Sequence, residues 1–239
     1  MLFRQMFDAN TWTYTYLLAD EESHDAVLID TVHEQAARDA KVVKELGLKL
    51  KYLLETHIHA DHITAVSDLK KIFPEVQSVA SRFSGAVCPD LLVVDGDLLL
   101  FGPYVIRVLE TPGHTSGCVS YQIGDRVFTG DALLIRGCGR TDFQDGDPEK
   151  LYDSVTSKLF TLPENTLVYP AHNYVGLTVS SIAEEKKHNP RLAGTSREEF
   201  IAMMNALDLP MPTKILESVP ANLKCGNLAL DVNQDATND

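Results

Sequence analysis

The chain has 239 residues, 44% of them hydrophobic and 23% charged, which is ordinary globular usage and enough for a sizeable buried core. Acidic residues outnumber basic ones by 34 to 21, for a formal net charge of −13. That balance argues against a nucleic-acid partner or an anionic membrane, since both call for a basic footprint. No apolar stretch approaches the roughly 18 residues of a membrane-spanning helix, and Met1 to Asp8 lacks the charged and apolar regions of a secretory signal.

In chain order, Thr11 to Leu18 is rich in β-branched and aromatic residues and predicts a strand, as does the short apolar run Ala26 to Ile29, ending at Asp30. Glu34 to Leu46 predicts a helix with Ala36, Ala37, Ala40, Val43 and Leu46 on one face, stopped by Gly47. Tyr52 to Leu54 predicts a buried strand that delivers Thr56 and His57 at its end, followed by a helix from about Asp61 to Phe73 and a strand around Val76 to Ala80. Leu98–Phe101, Tyr104–Leu109, Cys118–Ile123 and Val127–Thr129 predict further strands, separated by Gly/Pro and Gly-Asp turns. Asp147-Pro148 opens a helix with the stripe Leu151, Val155 and Leu159, and Leu167 to Tyr169 predicts a last strand before Pro170-Ala171-His172. Beyond it the pattern turns helical and polar. Thr195 to Glu198 reads as a capping box for a helix carrying Phe200, Met203, Met204 and Leu207.

The expectation is therefore a single α/β domain over 1–239, an αββα sandwich with a helical C-terminal extension at about 176–230 and a frayed tail from Asp231. Met203, Met204 and Leu207 could serve a homodimer interface as well as the core. Four cysteines, Cys88, Cys118, Cys138 and Cys225, lie far apart without paired spacing, so reduced thiols in a cytoplasmic setting are expected.

Five of the eight histidines, His57, His59, His62, His114 and His172, sit at turn-flanked strand ends. The run Thr56-His57-Ile58-His59-Ala60-Asp61-His62 is the densest part, with His57 and His59 alternating about Ile58. His114 follows Pro112-Gly113, Asp131 follows Thr129-Gly130, and His172 follows Pro170-Ala171. Loops at strand ends are where α/β scaffolds place ligands, because a rigid sheet fixes loops that remain free to adapt. Imidazole and carboxylate together select Zn, Fe(II) or Mn. Two imidazoles and a carboxylate on one face suit non-haem Fe(II) and oxygen, whereas three imidazoles with a second cluster suit a one- or two-zinc hydrolase. Taken alone, Asp61 reads better as a helix N-cap than as a ligand. His24, His33 and His188 lie in polar segments and read as surface residues.

These motifs resemble the metallo-β-lactamase superfamily over about residues 10 to 175, from Asp30 and the 56–62 run through His114, Asp131 and His172. That superfamily spans β-lactamases, thioesterases, nucleases, oxidases and dioxygenases, so fold alone does not choose the reaction. Further segments are similar to the persulfide dioxygenase family: Thr111 to Cys118, Phe128 to Leu134, Arg136 to Gln144, Pro170 to Tyr174, Glu184-Glu185, Asn189-Pro190-Arg191 and Val219 to Gly226.

The resemblance implies oxidation of glutathione persulfide by O2 to sulfite and glutathione, at one Fe(II) per chain held by His57, His114 and Asp131. His59, Asp61, His62 and His172 would then orient those ligands, and Asp30 would position the His57 loop. Glutathione carries two carboxylates, so local cations are expected despite the net negative charge. Arg140 and Arg191 are the candidates, with Tyr174 as a hydroxyl donor, although Arg140 could instead pair with Asp142 or Asp145. The competing expectation is a glyoxalase II-like binuclear hydrolase of glutathione thioesters, since every ligand of a two-metal site is present. A sulfur carrier using Cys138 or Cys225 is the third, and it leaves the convergent histidines without a purpose.

Overall fold

Along β2 (Thr13–Ala19), Tyr14, Tyr16 and Leu18 point to one side and Leu17 and Ala19 to the other, and all are buried. A strand buried on both faces has a layer packed against each of them. The computed structural model describes residues 1–227 and shows those layers. β1 (Leu2–Asp8), β2, β3 (Asp25–Ile29), β4 (Lys49–Leu54), β5 (Gln77–Ser81) and β6 (Leu91–Val93) form one six-stranded sheet in that order. A second six-stranded sheet contains β7 (Leu98–Phe101), β8 (Tyr104–Glu110), β9 (Val119–Ile123), β10 (Arg126–Gly130), β11 (Leu167–Pro170) and β12 (Ser180–Ser181).

Tyr14, Tyr16, Leu18, Val27 and Ile29 of the first sheet meet Ile106, Val108, Tyr121 and Phe128 of the second in the central core. On the outer face of the first sheet, Leu17, Leu28 and Leu53 pack under α1 (Ala36–Glu45) and α2 (Val66–Ile72) through Ala40, Val43 and Leu69. On the outer face of the second, Val127 and Val168 pack under α3 (Pro148–Ser157) and α5 (Arg197–Asn205) through Leu151, Val155 and Phe200. Full burial of one such side chain contributes about 1.5–3 kcal/mol. The helical C-terminal region is completed by α4 (Ile182–His188) and α6 (Ile215–Asn222). This is the expected αββα sandwich.

Several local expectations are corrected. The helix expected from Asp61 begins only at Val66, because the preceding backbone groups bond sideways: His33 N–H donates to the Ile63 carbonyl and Ala65 N–H to the Thr31 carbonyl. Asp61 and His62 thus belong to a loop. The capping box is Ser196 with Glu199, one residue later than read, and Ala37 is exposed while Asp39 takes its buried place on α1. Edge strand β1 carries no clean alternation and was not anticipated. Met204 is buried in the core around α5, away from any surface role. His33 is not a bare surface residue, since its Nδ1 lies 2.6 Å from Asp68. The frayed tail expected from Asp231 lies outside the described residues.

The cysteine expectation also changes. Cys118 and Cys138 are free and buried, but Cys88 and Cys225 form a disulfide across a sequence separation of 137. Spacing along the chain carries no trace of such a contact, because folding alone brings the two residues together. Closing a loop of that length constrains the unfolded chain by about 4–5 kcal/mol in the chain-entropy account. Among the described residues, no helix is long and apolar enough to cross a membrane.

Candidate metal centre

Four strand-end loops converge on one edge of the sandwich: residues 55–65 after β4, 111–118 after β8, 131–140 after β10 and 171–175 after β11. The two sheets are stitched together there. Val119 N–H donates to the Thr56 carbonyl at 2.9 Å and Tyr14 N–H to the Ala171 carbonyl at 2.7 Å. All seven expected metal-site residues meet at this edge, in two groups: His57, His114 and Asp131, and His59, Asp61, His62 and His172. Within each group the ligand-capable atoms lie within 4.8 Å of one another.

The partners of each imidazole decide what it can bind. Asp30 accepts from Thr56 N–H and from the Thr56 hydroxyl, both at 2.8 Å. Its one proton given to Asp30, that hydroxyl accepts from His57 Nδ1–H at 3.0 Å, which leaves Nε2 as a lone pair. His114 Nδ1–H donates to the Arg140 carbonyl at 2.7 Å, so its Nε2 is likewise a lone pair, 3.6 Å from Asp131 Oδ2. Gly139 makes this approach possible: a Cβ there would stand 2.7 Å from His114 Nδ1 and 2.6 Å from the Asp131 carbonyl. Asp30 therefore positions the His57 loop as expected, and Thr56 and the Arg140 carbonyl are functional groups that sequence reasoning did not single out.

The second group is wired differently. His172 Nδ1 bonds Asp131 Oδ1 at 2.8 Å and its Nε2 bonds Asp61 Oδ2 at 3.0 Å, so both ring nitrogens are engaged by carboxylates. His62 Nδ1 also bonds Asp61 Oδ2, at 3.0 Å. Among the described residues, three buried ring nitrogens nevertheless form no hydrogen bond: both of His59, whose Nε2 lies 3.2 Å from Asp30 Oδ1, and Nε2 of His62. Buried polar atoms left without partners are rare in folded proteins and point to a bound ion or water. The donor set fits a divalent metal of the borderline class.

Charge follows the wiring. Burial first, and then the neighbouring His59, push the His57 imidazole well below its usual range. His59 is lowered in the same way by burial and His62. Neutral imidazoles are the metal-binding form. Burial opposes charge on His172, Asp131 and Asp61 alike, but their mutual attraction wins: His172 is raised well above its usual range and both carboxyls are held well below theirs.

Around the opening, Tyr174 is 61% exposed and its ring stacks on His172 at 6.2 Å with 3° between planes. The Arg140 guanidinium is taken up: Nε and Nη2 grip Asp142 at 2.6 and 2.7 Å, and Nη1 donates to the Pro210 carbonyl at 2.7 Å. The pairing with Asp142 is thus the one formed, and capture of another carboxylate there requires its displacement. Arg191 donates through Nη1 to the Cys138 carbonyl at 2.8 Å, and among the described residues Nε and Nη2 form no hydrogen bond. A carrier role for the cysteines has no support, since Cys138 is buried with its thiol pushed up by burial and Cys225 is in the disulfide.

Two sheets, outer helices and strand-end histidines with carboxylates define a metallo-β-lactamase-type metal protein, and the metallo-β-lactamase superfamily model matches residues 13–172. Persulfide dioxygenase ETHE1 of Mus musculus is 56% identical over 228 residues, 95% of this chain and 89% of that protein. The crystal structure of ETHE1 from Myxococcus xanthus superposes with a TM-score of 0.93 at 56% identity, covering 95% of this chain and all of that one. A protein named glyoxylase B2, from Dictyostelium discoideum, is more distant, at 30% identity over 253 residues, 89% of this chain and 86% of that protein. The chain belongs to the persulfide dioxygenase family within that superfamily. The mouse protein is named as mitochondrial, a different compartment from the cytoplasmic one expected from the cysteines, so that expectation is withdrawn.

Proposed function

We propose that the protein oxidises glutathione persulfide with O2 and water to sulfite and glutathione, using one Fe(II) held by His57, His114 and Asp131. The observation that carries this ligand choice is the hydrogen-bond wiring. His57 and His114 each keep one ring nitrogen as a lone pair because Thr56 and the Arg140 carbonyl occupy the other, whereas both nitrogens of His172 are engaged by carboxylates. Asp131 contributes Oδ2, its Oδ1 being fixed by His172. Bound Fe(II) would supply positions where the terminal persulfide sulfur and O2 meet, which overcomes the entropy of bringing them together.

The remaining residues hold and orient. Asp30 and Thr56 lock the His57 ring, and the 138–140 turn locks His114. His172, between Asp61 and Asp131, fixes the Asp131 carboxylate and offsets one of the two negative charges. Arg191, with two guanidinium N–H edges free of hydrogen bonds among the described residues, is the candidate for a glutathione carboxylate. The hydroxyl of Tyr174, stacked on His172, is the candidate donor to the glutathione moiety. Membership of the persulfide dioxygenase family and the 56% identity support the reaction.

Metal analysis of anaerobically purified protein tests the reading. The expected result is about one iron per chain, with O2 uptake on addition of glutathione persulfide. Two metals per chain, with hydrolysis of a lactoylglutathione-type thioester and no O2 uptake, would replace it by the binuclear hydrolase.

A further inference from the structure

The metal-bearing loop is gripped from behind by the end of the chain. Asn222, the last residue of α6, is buried, and its side-chain amide closes three hydrogen bonds on that loop. Oδ1 accepts from Thr64 N–H, and Nδ2 donates to the carbonyls of His59 and His62, each at 2.8 Å. Beyond it, Ser67 N–H donates to the Cys225 carbonyl at 3.0 Å and Val87 N–H to the Leu223 carbonyl at 3.1 Å. At Gly226 (φ +72°) any Cβ would press on the Thr64 carbonyl, so the grip leaves no slack.

What keeps this segment in place is thin. α6 has eight residues with Pro220 inside it, and Leu216 is 87% exposed. A helix that short is marginal without tertiary support. Besides the hydrogen bonds of Asn222, Leu223 and Cys225, the support is covalent: Cys225 is bonded to Cys88. Both cysteines are only half-buried, and they line a surface pocket of about 330 Å3 together with Ser67, Lys70, Lys71 and Lys224. That volume suits a small ligand, and a lysine-rich lining favours an anion. Lys70 and Lys71 are paired with Asp90 and Asp68, at 2.6 and 3.1 Å, so an incoming carboxylate competes with those two side chains for them.

We propose that the Cys88–Cys225 disulfide is an exchange site for small anionic thiols, and that opening it loosens the Asn222 clamp on the metal loop. Cys88 sits in an exposed segment beside Val87, 85% exposed, whereas Cys225 is held through its own backbone, so attack falls on Cys88. A thiolate bonds to the Cys88 sulfur, the disulfide breaks, and its electron pair leaves on Cys225 as a thiolate. A second thiolate attacks the mixed disulfide, leaves as the oxidised thiol dimer, and frees Cys88 as a thiolate. Two thiols are oxidised and one protein disulfide is reduced. The inference concerns metal retention and makes no use of the reaction at the metal, so it stands or falls separately from the proposed activity.

The test uses metal-loaded full-length protein without oxygen, with reduced glutathione as the thiol. Mass analysis is expected to find glutathione joined to Cys88 and a free thiol at Cys225, and metal release to a chelator is expected to quicken about tenfold, the usual scale for losing a group that orients ligands. The diethyl ester of glutathione, without its carboxylate charges, is expected to open the bond more slowly; equal rates overturn the anionic preference. Cys88→Ser is expected to release metal at the fast rate with or without thiol. Asn222→Asp, which keeps the acceptor and loses both donors, is expected to match it with the disulfide intact. The wild-type titration needs no substitution, so a variant that fails to fold leaves the test standing. A disulfide that resists millimolar glutathione in the folded protein, or one that opens with metal release unchanged, overturns the proposal.

Discussion

In the group His57, His114 and Asp131, each imidazole has one nitrogen held by an oxygen outside the group, from Thr56 or from the Arg140 backbone. In the group His59, Asp61, His62 and His172, the side-chain hydrogen bonds run among the members, to Asp131 and to the Thr13 hydroxyl, which lies 3.2 Å from His172 Nε2 and 3.4 Å from His62 Nδ1. The residue types are the same. The difference sets His172, with both nitrogens engaged by carboxylates, apart from His57 and His114, each with one nitrogen free. His62 also keeps Nε2 free, which makes it the residue on which the comparison turns. The sharpest way to break the comparison is to remove one histidine at a time and count metal. His57→Ala and His114→Ala are expected to purify without metal and without O2 uptake. His62→Ala and His172→Ala are expected to keep the metal and lose about 10–100-fold in activity. Equal metal loss in all four variants would mean that the groups act as one binuclear site.

A smaller effect comes from pH. In the metal-free protein, the His172 imidazolium between Asp61 and Asp131 ties stability to protonation. The histidine is raised in the folded state, so its contribution is complete below the unfolded value of about 6.5 and is lost as pH rises through the folded value. The carboxyls are lowered, so theirs is complete above about 3.9 and is lost as pH falls through their folded values. The contribution of this triad is therefore largest between those limits and declines on the alkaline side. His57 and His59, held neutral by burial, favour pH above about 6.5. The triad is therefore read from the difference in urea midpoints between the metal-free wild type and His172→Asn. That difference should shrink on the alkaline side. A difference of unchanged size across the range would show that the triad does not carry the decline.

The legible part of this molecule was whatever is encoded locally. Thr56 to His62, the Gly/Pro-flanked His114 and His172, and the strand runs on both sides were readable because ligand spacing and period-two alternation are short-range properties. Asp147-Pro148 as a helix start was readable for the same reason, and Asp147 does accept from Glu149 and Lys150 N–H. The start of α2 was not, since the bonds that delay it come from residues 31–33, which a local pattern does not register. Asn222 was hidden for the same cause on a longer scale, as its partners lie about 160 residues earlier. The Arg140 carbonyl has no side-chain signature at all. Sequence reasoning gave Arg140 a role through its guanidinium, and the structure shows its backbone oxygen holding His114 instead.

The mildest test concerns the mouth of the site, where the two groups meet solvent. Tyr174 lies over His172, ring on ring, with most of its surface open. Replacing it with phenylalanine keeps the stack and removes only the hydroxyl. If that hydroxyl binds the glutathione moiety, the variant loses one hydrogen bond in ground and transition states alike, worth about 1 kcal/mol. KM for the persulfide then rises about fivefold with kcat unchanged. Metal content should not move, because Tyr174 makes no hydrogen bond to a residue of either group among the described residues. Tyr174→Ala also strips the ring from His172, so kcat should fall with it. A Tyr174→Phe variant that lost kcat at constant KM would instead place the hydroxyl at the reacting sulfur, where its help is confined to the transition state.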